Sequence, residues 1–155
     1  MLYGIWCYLK YFVFSTKFIS KKDDFLFRFN NEVLNVAFDK KLEKKIESLR
    51  EFYNDENIEL QNEDYGAGAR NKISKPTINT RYLAKNVAVS KKYGQIIFNL
   101  RRFLKAQNVL ELGTSLGIGS AYLSETKLTS IEGNTALYQY TKSTLEEKGF
   151  KDIEF

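Results

Sequence analysis

In the stretch Val109-Leu110-Glu111-Leu112-Gly113-Thr114-Ser115-Leu116-Gly117-Ile118-Gly119, an apolar run is followed by three closely spaced glycines. The apolar run predicts a buried strand, and the glycines predict a turn into a short helix over residues 120–123. A second apolar strand is predicted over residues 127–131, and Glu132 follows it directly. In nucleotide-binding folds, an acidic residue at the end of the next parallel strand accepts hydrogen bonds from the ribose. It lies about 20 residues after the first glycine. The stretch therefore predicts a ligand that carries a ribose.

The alternation of strand and helix continues toward the end of the sequence. Asn134 is suited to cap a helix that contains Leu137 and Leu145, and Gly149 is suited to end it. Residues 151–155 then predict the start of a third strand. Such alternation predicts an α/β fold, here a partial Rossmann-like parallel sheet with strand order 3-2-1, preceded by a helical N-terminal region.

Right-handed crossovers would place both intervening helices on the same face of this sheet. The other face is then expected to be bare, and the first strand is expected to have an unpaired edge. Three candidates could cover them: the aromatic N-terminal segment, a second copy of the chain, or a missing C-terminal half.

Helical patterns predominate upstream of the glycine stretch. Spaced apolar residues predict helices over three segments: about Asp39 to Tyr53, a stretch that starts near Thr77 or Thr80, and Ile96 to Leu104. Residues 90–94 are expected to separate the last two, and residues 62–71 are expected to form a loop around Gly66 and Gly68. We therefore divide the chain into a helical N-terminal lead with a glycine-containing loop, residues 1–76, and a truncated half domain, residues 77–155.

Composition limits the possible chemistry. The chain has 155 residues, of which 43% are hydrophobic, which is enough for one domain with a core. Cys7 is the single cysteine, so an internal disulfide is excluded and a reducing compartment, the cytoplasm, is expected. The sequence contains no histidine. A catalytic triad built on histidine is therefore excluded, and we expect no metal site.

Charge and hydropathy point away from nucleic acid and membrane. The net charge is +5, but Glu43, Glu47 and Glu51 interleave with the nearby lysines as on a solvated helix face. Residues 1–19 are apolar, yet lysines interrupt them and they fall short of the ~20 residues that span a bilayer. Leu2, Ile5, Leu9 and Phe12 recur at helical spacing, which predicts a helix packed on a core, with attachment to a membrane surface as the alternative.

The glycine spacing distinguishes between ligand families. A dinucleotide turn needs G-x-G-x-x-G and a P-loop needs a lysine after its last glycine, and neither pattern is present. The sequence instead has E-x-G-x-x-x-G at the first strand and Glu132 after the second. Two acids around a turn suit a ligand with a cationic amine and ribose hydroxyls, as in S-adenosylmethionine.

With these motifs, the chain resembles the class I S-adenosylmethionine-dependent methyltransferases, most clearly over Asn108 to Phe155. It is particularly similar to a bacterial O-methyltransferase-like group in which this turn follows a helix with Lys92-Tyr93-Gly94-Gln95. That group also has an upstream segment like Asp64 to Gly68. It tends to show His-Ser-Pro-Phe where this chain has Asp23 to Leu26. The family also supplies an adenine-contacting acid after its third strand and catalytic residues after its fourth, and this sequence ends before both.

The resemblance implies a role for six residues in cofactor binding. Glu111, Gly113 and Gly117 would contact the methionine moiety, and Thr114 and Ser115 would line it. Glu132 would accept hydrogen bonds from the ribose hydroxyls. The function implied is methyl transfer from S-adenosylmethionine to an unknown acceptor, with the catalytic residues unassigned. The alternatives are a catalytically inactive remnant that binds S-adenosylmethionine or a partner, and an NAD-type oxidoreductase, which the glycine spacing disfavours.

Other readings of single residues stay open. Glu111 could only cap a turn, and Glu132 could only face solvent. Gly66 and Gly68 with Arg70 could form an anion-binding or substrate loop or an ordinary one. Tyr93 is expected in the core or at a helix junction, with a place beside the methyl group as the alternative, and Asp64 is a further candidate carboxylate.

Overall fold

The computed structural model describes residues 2–14, 24–63 and 76–155, which fall into two compact units, Met1–Val36 and Ala37–Phe155. The first unit contains helices α1 (Leu2–Phe14) and α2 (Asp24–Phe29), followed by a π-helical turn (Asn30–Leu34). The helix predicted near the start of the chain is therefore confirmed. Its Ile5, Leu9 and Phe12 side chains are 51%, 53% and 53% exposed, and packing of this apolar stripe on a core stays a prediction.

The second unit contains five helices and five strands among its described residues. They are α3 (Lys40–Glu56), β1 (Glu59–Gln61), β2 (Thr77–Asn79), α4 (Thr80–Asn86), α5 (Lys91–Phe103), β3 (Asn108–Leu112), α6 (Ile118–Leu123), β4 (Lys127–Ile131), α7 (Thr135–Glu147) and β5 (Ile153–Glu154). The predicted loop over residues 62–71, including Asp64, Gly66, Gly68 and Arg70, lies mostly outside the described residues.

Two of the helices begin where their sequences indicate, and one of them also ends there. The Asp39 side chain accepts a hydrogen bond from the Leu42 amide at 2.8 Å and caps α3, which extends three residues beyond the predicted end at Tyr53. The Asn134 side chain caps α7 by accepting from the Leu137 amide at 2.9 Å. Gly149, with φ of +79°, follows the end of α7. Both predicted caps of α7 are therefore confirmed.

The structure corrects three details of the region before β3. β1 and β2 form an antiparallel pair that the sequence did not predict, because strands of three residues are too short to show an alternating pattern. β2 occupies the place of Thr77, so of the two predicted helix starts the one at Thr80 is confirmed, but Asn79 and not a threonine is the residue that caps α4. Gly94 lies inside α5, not in a break before it, and a Cβ atom there would collide with the Tyr122 ring.

The parallel sheet has the predicted topology. Its strand order is β3-β4-β5, with Glu111 beside Ser130 and Leu112 beside Ile131 in the register. Buried residues of α3, α4, α5, α6 and α7 form one hydrophobic cluster, which includes Tyr53, Phe98, Tyr122, Leu137 and Leu145.

The two faces of the sheet differ in burial, as the crossovers predict. Leu128 and Ser130 are 1% exposed, whereas Leu110, Leu112 and Ile131 on the alternate positions are 62%, 75% and 53% exposed. The bare face expected from the sequence is therefore confirmed. Among the described residues, no helix combines the length and the apolar composition that crossing a membrane requires.

Candidate functional site

The turn between β3 and α6 lies at the carboxyl end of the sheet. The Gly113 amide donates to the carbonyl of Ile131 at 2.8 Å, which ties the start of the turn to the end of β4. Gly113, Ser115 and Gly117 have φ values of +90°, +50° and +68°. Such angles are readily adopted by glycine and uncommon for other residues, so the glycines are what permit the sharp change of direction.

The three glycines of this segment face different surroundings. A Cβ atom on Gly113 would have no atom of the described chain within 4 Å. A Cβ atom on Gly117 would collide with the Leu145 side chain, and one on Gly119 would lie 2.6 Å from Oε1 of Glu111. Gly113 therefore leaves open space at the turn. Gly117 makes room for the core, and Gly119 makes room for a carboxylate.

Glu111 directs its carboxylate under the first turn of α6. Its Oε2 accepts hydrogen bonds from the hydroxyls of Ser120 at 2.5 Å and Ser130 at 2.7 Å. The Thr114 hydroxyl lies 2.6 Å from that of Ser130. Because the Ser130 proton goes to the carboxylate, Thr114 must be the donor in that contact. Glu111, Ser120, Ser130 and Thr114 thus form a connected polar network beneath the turn.

Burial dominates the electrostatics of Glu111. Loss of solvent raises the pKa of its carboxyl above the ordinary 4.5, and the hydrogen bonds from Ser120 and Ser130 act in the opposite direction. The negative charge of Glu132 raises the pKa further, although by less. The two acids that the sequence placed around the turn are thus close enough to interact.

Glu132 lies beside the turn and binds its backbone. Its Oε2 accepts from the Ser115 amide at 2.8 Å, and its Oε1 accepts from the Asn134 amide at 3.0 Å. A carboxylate has about four acceptor positions, so these two bonds leave capacity on both oxygens. Glu132 is only partly buried, which keeps that capacity accessible.

The backbone of Ser115 is fixed by hydrogen bonds, but its side-chain hydroxyl has no hydrogen-bond partner among the described residues. Its carbonyl accepts from the Thr141 hydroxyl at 2.7 Å, and its amide donates to Glu132. Its Oγ is buried without a hydrogen-bond partner anywhere in the described part of the chain. A buried hydroxyl without a partner costs about 1–3 kcal/mol, so such groups commonly mark a place where a ligand or water binds.

A cavity of about 430 Å³ adjoins Glu132. Its wall includes residues 132–134 after β4, Leu137 of α7, Tyr82 and Leu83 of α4, and Ile78 of β2. The volume is within the range of pockets that hold small molecules. A second cavity, of about 760 Å³, lies at the opposite, amino ends of β4 and β5. Open α/β sheets bind ligands at the carboxyl ends of their strands, which favours the smaller cavity, but of the six predicted cofactor-binding residues only Glu132 lines it.

The structure brings together five of the six predicted cofactor-binding residues at one edge: Glu111, Gly113, Thr114, Ser115 and Glu132. Gly117 belongs to the same turn but packs on Leu145. Roles for all six in cofactor binding stay predictions. Tyr93 is 64% exposed, so it is not a core residue, but it lies in the first turn of α5 beside the α4–α5 connection, which agrees with the expected helix junction.

Sequence reasoning missed Ser120, Ser130 and Thr141. Ser130 carried a usable signal, because it is a polar residue on the same face of β4 as Leu128 and pairs in register with Glu111. Ser120 and Thr141 became recognisable only once the turn was folded. No protein-family model, no curated protein and no solved structure matches this chain.

Proposed function

We propose that this chain binds S-adenosylmethionine at the carboxyl edge of its parallel sheet, on a partial Rossmann-like scaffold, for methyl transfer to an acceptor. The observation that carries the proposal is the position of Glu132. Two backbone amides hold its carboxylate beside the glycine turn, and acceptor capacity remains on both oxygens. The carboxylate is thereby fixed before a ligand arrives, which lowers the entropic cost of binding.

The local charge favours this ligand over its competitors. Glu111 and Glu132 give the turn a negative potential, which attracts a sulfonium and an ammonium group and opposes a pyrophosphate. The ribose hydroxyls would donate to the free acceptor positions of Glu132. An NAD-type ligand would instead place its phosphates against two carboxylates.

The open space at Gly113 and the buried hydroxyl of Ser115 fit the methionine part of the ligand. No described atom would contact a Cβ at Gly113, so a ligand can approach the backbone there. The Ser115 hydroxyl is buried, so it gains the hydrogen bond that it lacks among the described residues only if the turn shifts to admit the ligand. Thr114 lies 3% exposed and acts through Ser130, so we assign it a supporting role under the turn.

S-adenosylmethionine, when bound, supplies a methyl group that its sulfonium already activates. The residues described above would bind the ligand and hold its sulfonium in one orientation. Alignment of two reactants can by itself provide several orders of magnitude in rate, so no covalent participation of the chain is required. We assign no general base, because no described residue at the turn is positioned for that role by a contact.

Calorimetric titration with S-adenosylmethionine tests the proposal. The protein should bind it, and Glu132→Ala should weaken binding by about 5- to 150-fold, because the polar partners of the carboxylate are left unpaired. Glu125→Ala is the matched control. Glu125 lies at the other end of β4 and pairs only loosely with Arg101 at 3.7 Å, so its loss should leave affinity unchanged. Absence of binding by the unaltered protein would reject the proposal, and equal affinity for Glu132→Ala would remove that residue from the site.

A second candidate is a module that binds S-adenosylmethionine without turnover. The observation that favours it is that Glu111 is engaged with Ser120 and Ser130 and so serves the fold rather than a reaction. Titration cannot separate the two candidates. Incubation with methyl-labelled S-adenosylmethionine and cell extract can, because label transferred to any acceptor above the level of a Glu132→Ala control supports the enzyme.

A further inference from the structure

Helix α1 has two chemically different sides. At 100° per residue, Ile5, Trp6, Leu9, Phe12 and Val13 lie within an arc of about 120°. These five side chains are 51%, 57%, 53%, 53% and 69% exposed. The remaining arc carries the smaller or amphipathic groups Tyr3, Gly4, Cys7, Tyr8, Lys10 and Tyr11, together with the apolar ring of Phe14. One side of α1 is therefore a continuous apolar surface in contact with water.

The composition of α1 is that of a helix at a lipid–water boundary. Trp6 and the tyrosines at positions 3 and 8 combine an apolar ring with a polar group, and such side chains collect at the level of lipid headgroups. Lys10 lies at the border of the apolar side, with its Nζ 5.1 Å from the centre of the Trp6 ring. A lysine in that position can bury its stem and extend its ammonium group toward the headgroups.

Charge adds a second, independent indication. Residues 1–22 contain four lysines, at positions 10, 17, 21 and 22, and the first acidic residues are Asp23 and Asp24 directly after them. Basic residues next to an apolar helix are attracted to anionic lipids, and the attraction falls off within a Debye length. The same lysines disfavour pairing of this segment with a second copy of itself, because like charges would be brought together.

We infer that α1 lies in the surface of a membrane that contains anionic lipids, with its apolar side among the acyl chains and Lys10 at the headgroups. The 13 residues of α1 extend about 20 Å, against a hydrocarbon core of ~30 Å, so the helix suits the plane of the surface. The sequence alone favoured packing of this helix on a core. The exposure of Ile5, Leu9 and Phe12 is what shifts the preference to the lipid surface.

The only tryptophan in the sequence is Trp6, so its fluorescence reports on α1 alone. With the full chain, vesicles of phosphatidylcholine and phosphatidylserine should shift the Trp6 emission to shorter wavelength, and lipids brominated on their acyl chains should quench it. Vesicles of phosphatidylcholine alone should bind more weakly, and added salt should reduce binding to the anionic vesicles.

Two variants test which side of the helix enters the lipid. Leu9→Glu places a charge at the centre of the apolar side and should lower the vesicle partition coefficient by about tenfold or more. Tyr11→Glu makes the same change of charge on the opposite side and should cost markedly less. Far-ultraviolet circular dichroism checks that both variants keep their helix content.

Three results would overturn the inference. No emission shift with anionic vesicles would exclude lipid binding by α1. An emission shift that grows with protein concentration in the absence of vesicles would identify a second copy of the chain as the partner. Equal losses for Leu9→Glu and Tyr11→Glu would contradict the assigned orientation. None of these outcomes bears on S-adenosylmethionine binding, which is measured separately.

Discussion

The two faces of the β3-β4-β5 sheet are made of alternate residues of the same strands, yet their surroundings differ sharply. On one face Leu128 and Ser130 are 1% exposed, and on the other Leu112 is 75% exposed and Ile131 is 53% exposed. Right-handed connections would place α6 and α7 on the same side, and buried residues of both helices belong to one hydrophobic cluster. The difference indicates that the buried face of the sheet provides the stability of the second unit. The exposed face is then available for contact with another molecule.

Truncation of a leucine on each face should show the largest contrast. Leu128→Ala removes a fully buried side chain and should lower the free energy of unfolding by about 2–5 kcal/mol. Leu112→Ala should change it by no more than about 0.5 kcal/mol, because the side chain is already in water. Urea denaturation measures both. Similar losses for the two variants would mean that a partner or another part of the chain covers the open face in solution.

The glycine turn offers a second contrast, between a position facing the core and an open one. Gly117→Ala combines a φ of +68° with a collision against Leu145, and should cost about 2–4 kcal/mol. Gly113→Ala has a φ of +90° but no described neighbour within 4 Å, and should cost about 1–2 kcal/mol from backbone strain alone. Thermal unfolding compares them. If Gly113→Ala were the more damaging of the two, the open space at the turn would be filled in solution.

The cap of α7 should have a smaller effect. Asn134 is 5% exposed, caps the Leu137 amide at 2.9 Å and donates to the carbonyl of Gln61 at 3.1 Å. Asn134→Ala should therefore destabilise the protein by about 1–2 kcal/mol in chemical denaturation. Asn108→Ala, at an exposed position of β3, is the matched control and should have little effect. An equal response of the two would show that α7 does not depend on its cap.

The smallest predicted effect is a dependence of stability on pH that comes from Glu111. Because burial raises the pKa of this carboxyl in the folded state above its ordinary 4.5, the folded protein binds the proton more tightly than the unfolded chain. The contribution of Glu111 is then fully present below the unfolded pKa and is lost as pH rises through the folded one. Glu111→Gln should flatten that decline in denaturant midpoints measured from acid to neutral pH. If the denaturant midpoint of Glu111→Gln falls with pH as steeply as that of the unaltered protein, the decline comes from other groups.

Much of the second unit was predictable because its signals are local. An apolar run followed by Gly113 predicts a strand and a turn, and Asn134 and Gly149 predict the limits of α7. The parallel order of the strands follows from alternation and handedness. The exposed face of the sheet follows from the same rule of handedness.

The remainder depends on contacts between residues distant in sequence. Gly94 looked like a break, because only the folded structure shows that it accommodates the Tyr122 ring. The partners of Glu111 are also hidden, since Ser120 and Ser130 meet it only after β3, α6 and β4 are assembled. The strands β1 and β2 are three residues each, too short for a period to emerge. Roles in cofactor binding for the residues at the turn remain predictions.

Ligand binding at the carboxyl edge of the sheet can be tested by a crystal structure of the protein grown with S-adenosylhomocysteine. The ribose hydroxyls should donate to Glu132, and the homocysteine part should lie against Gly113 and the hydroxyl of Ser115. Two results would contradict the proposed site. One is ligand density in the cavity of about 760 Å³ at the amino ends of β4 and β5, and the other is a turn with no ligand density beside it.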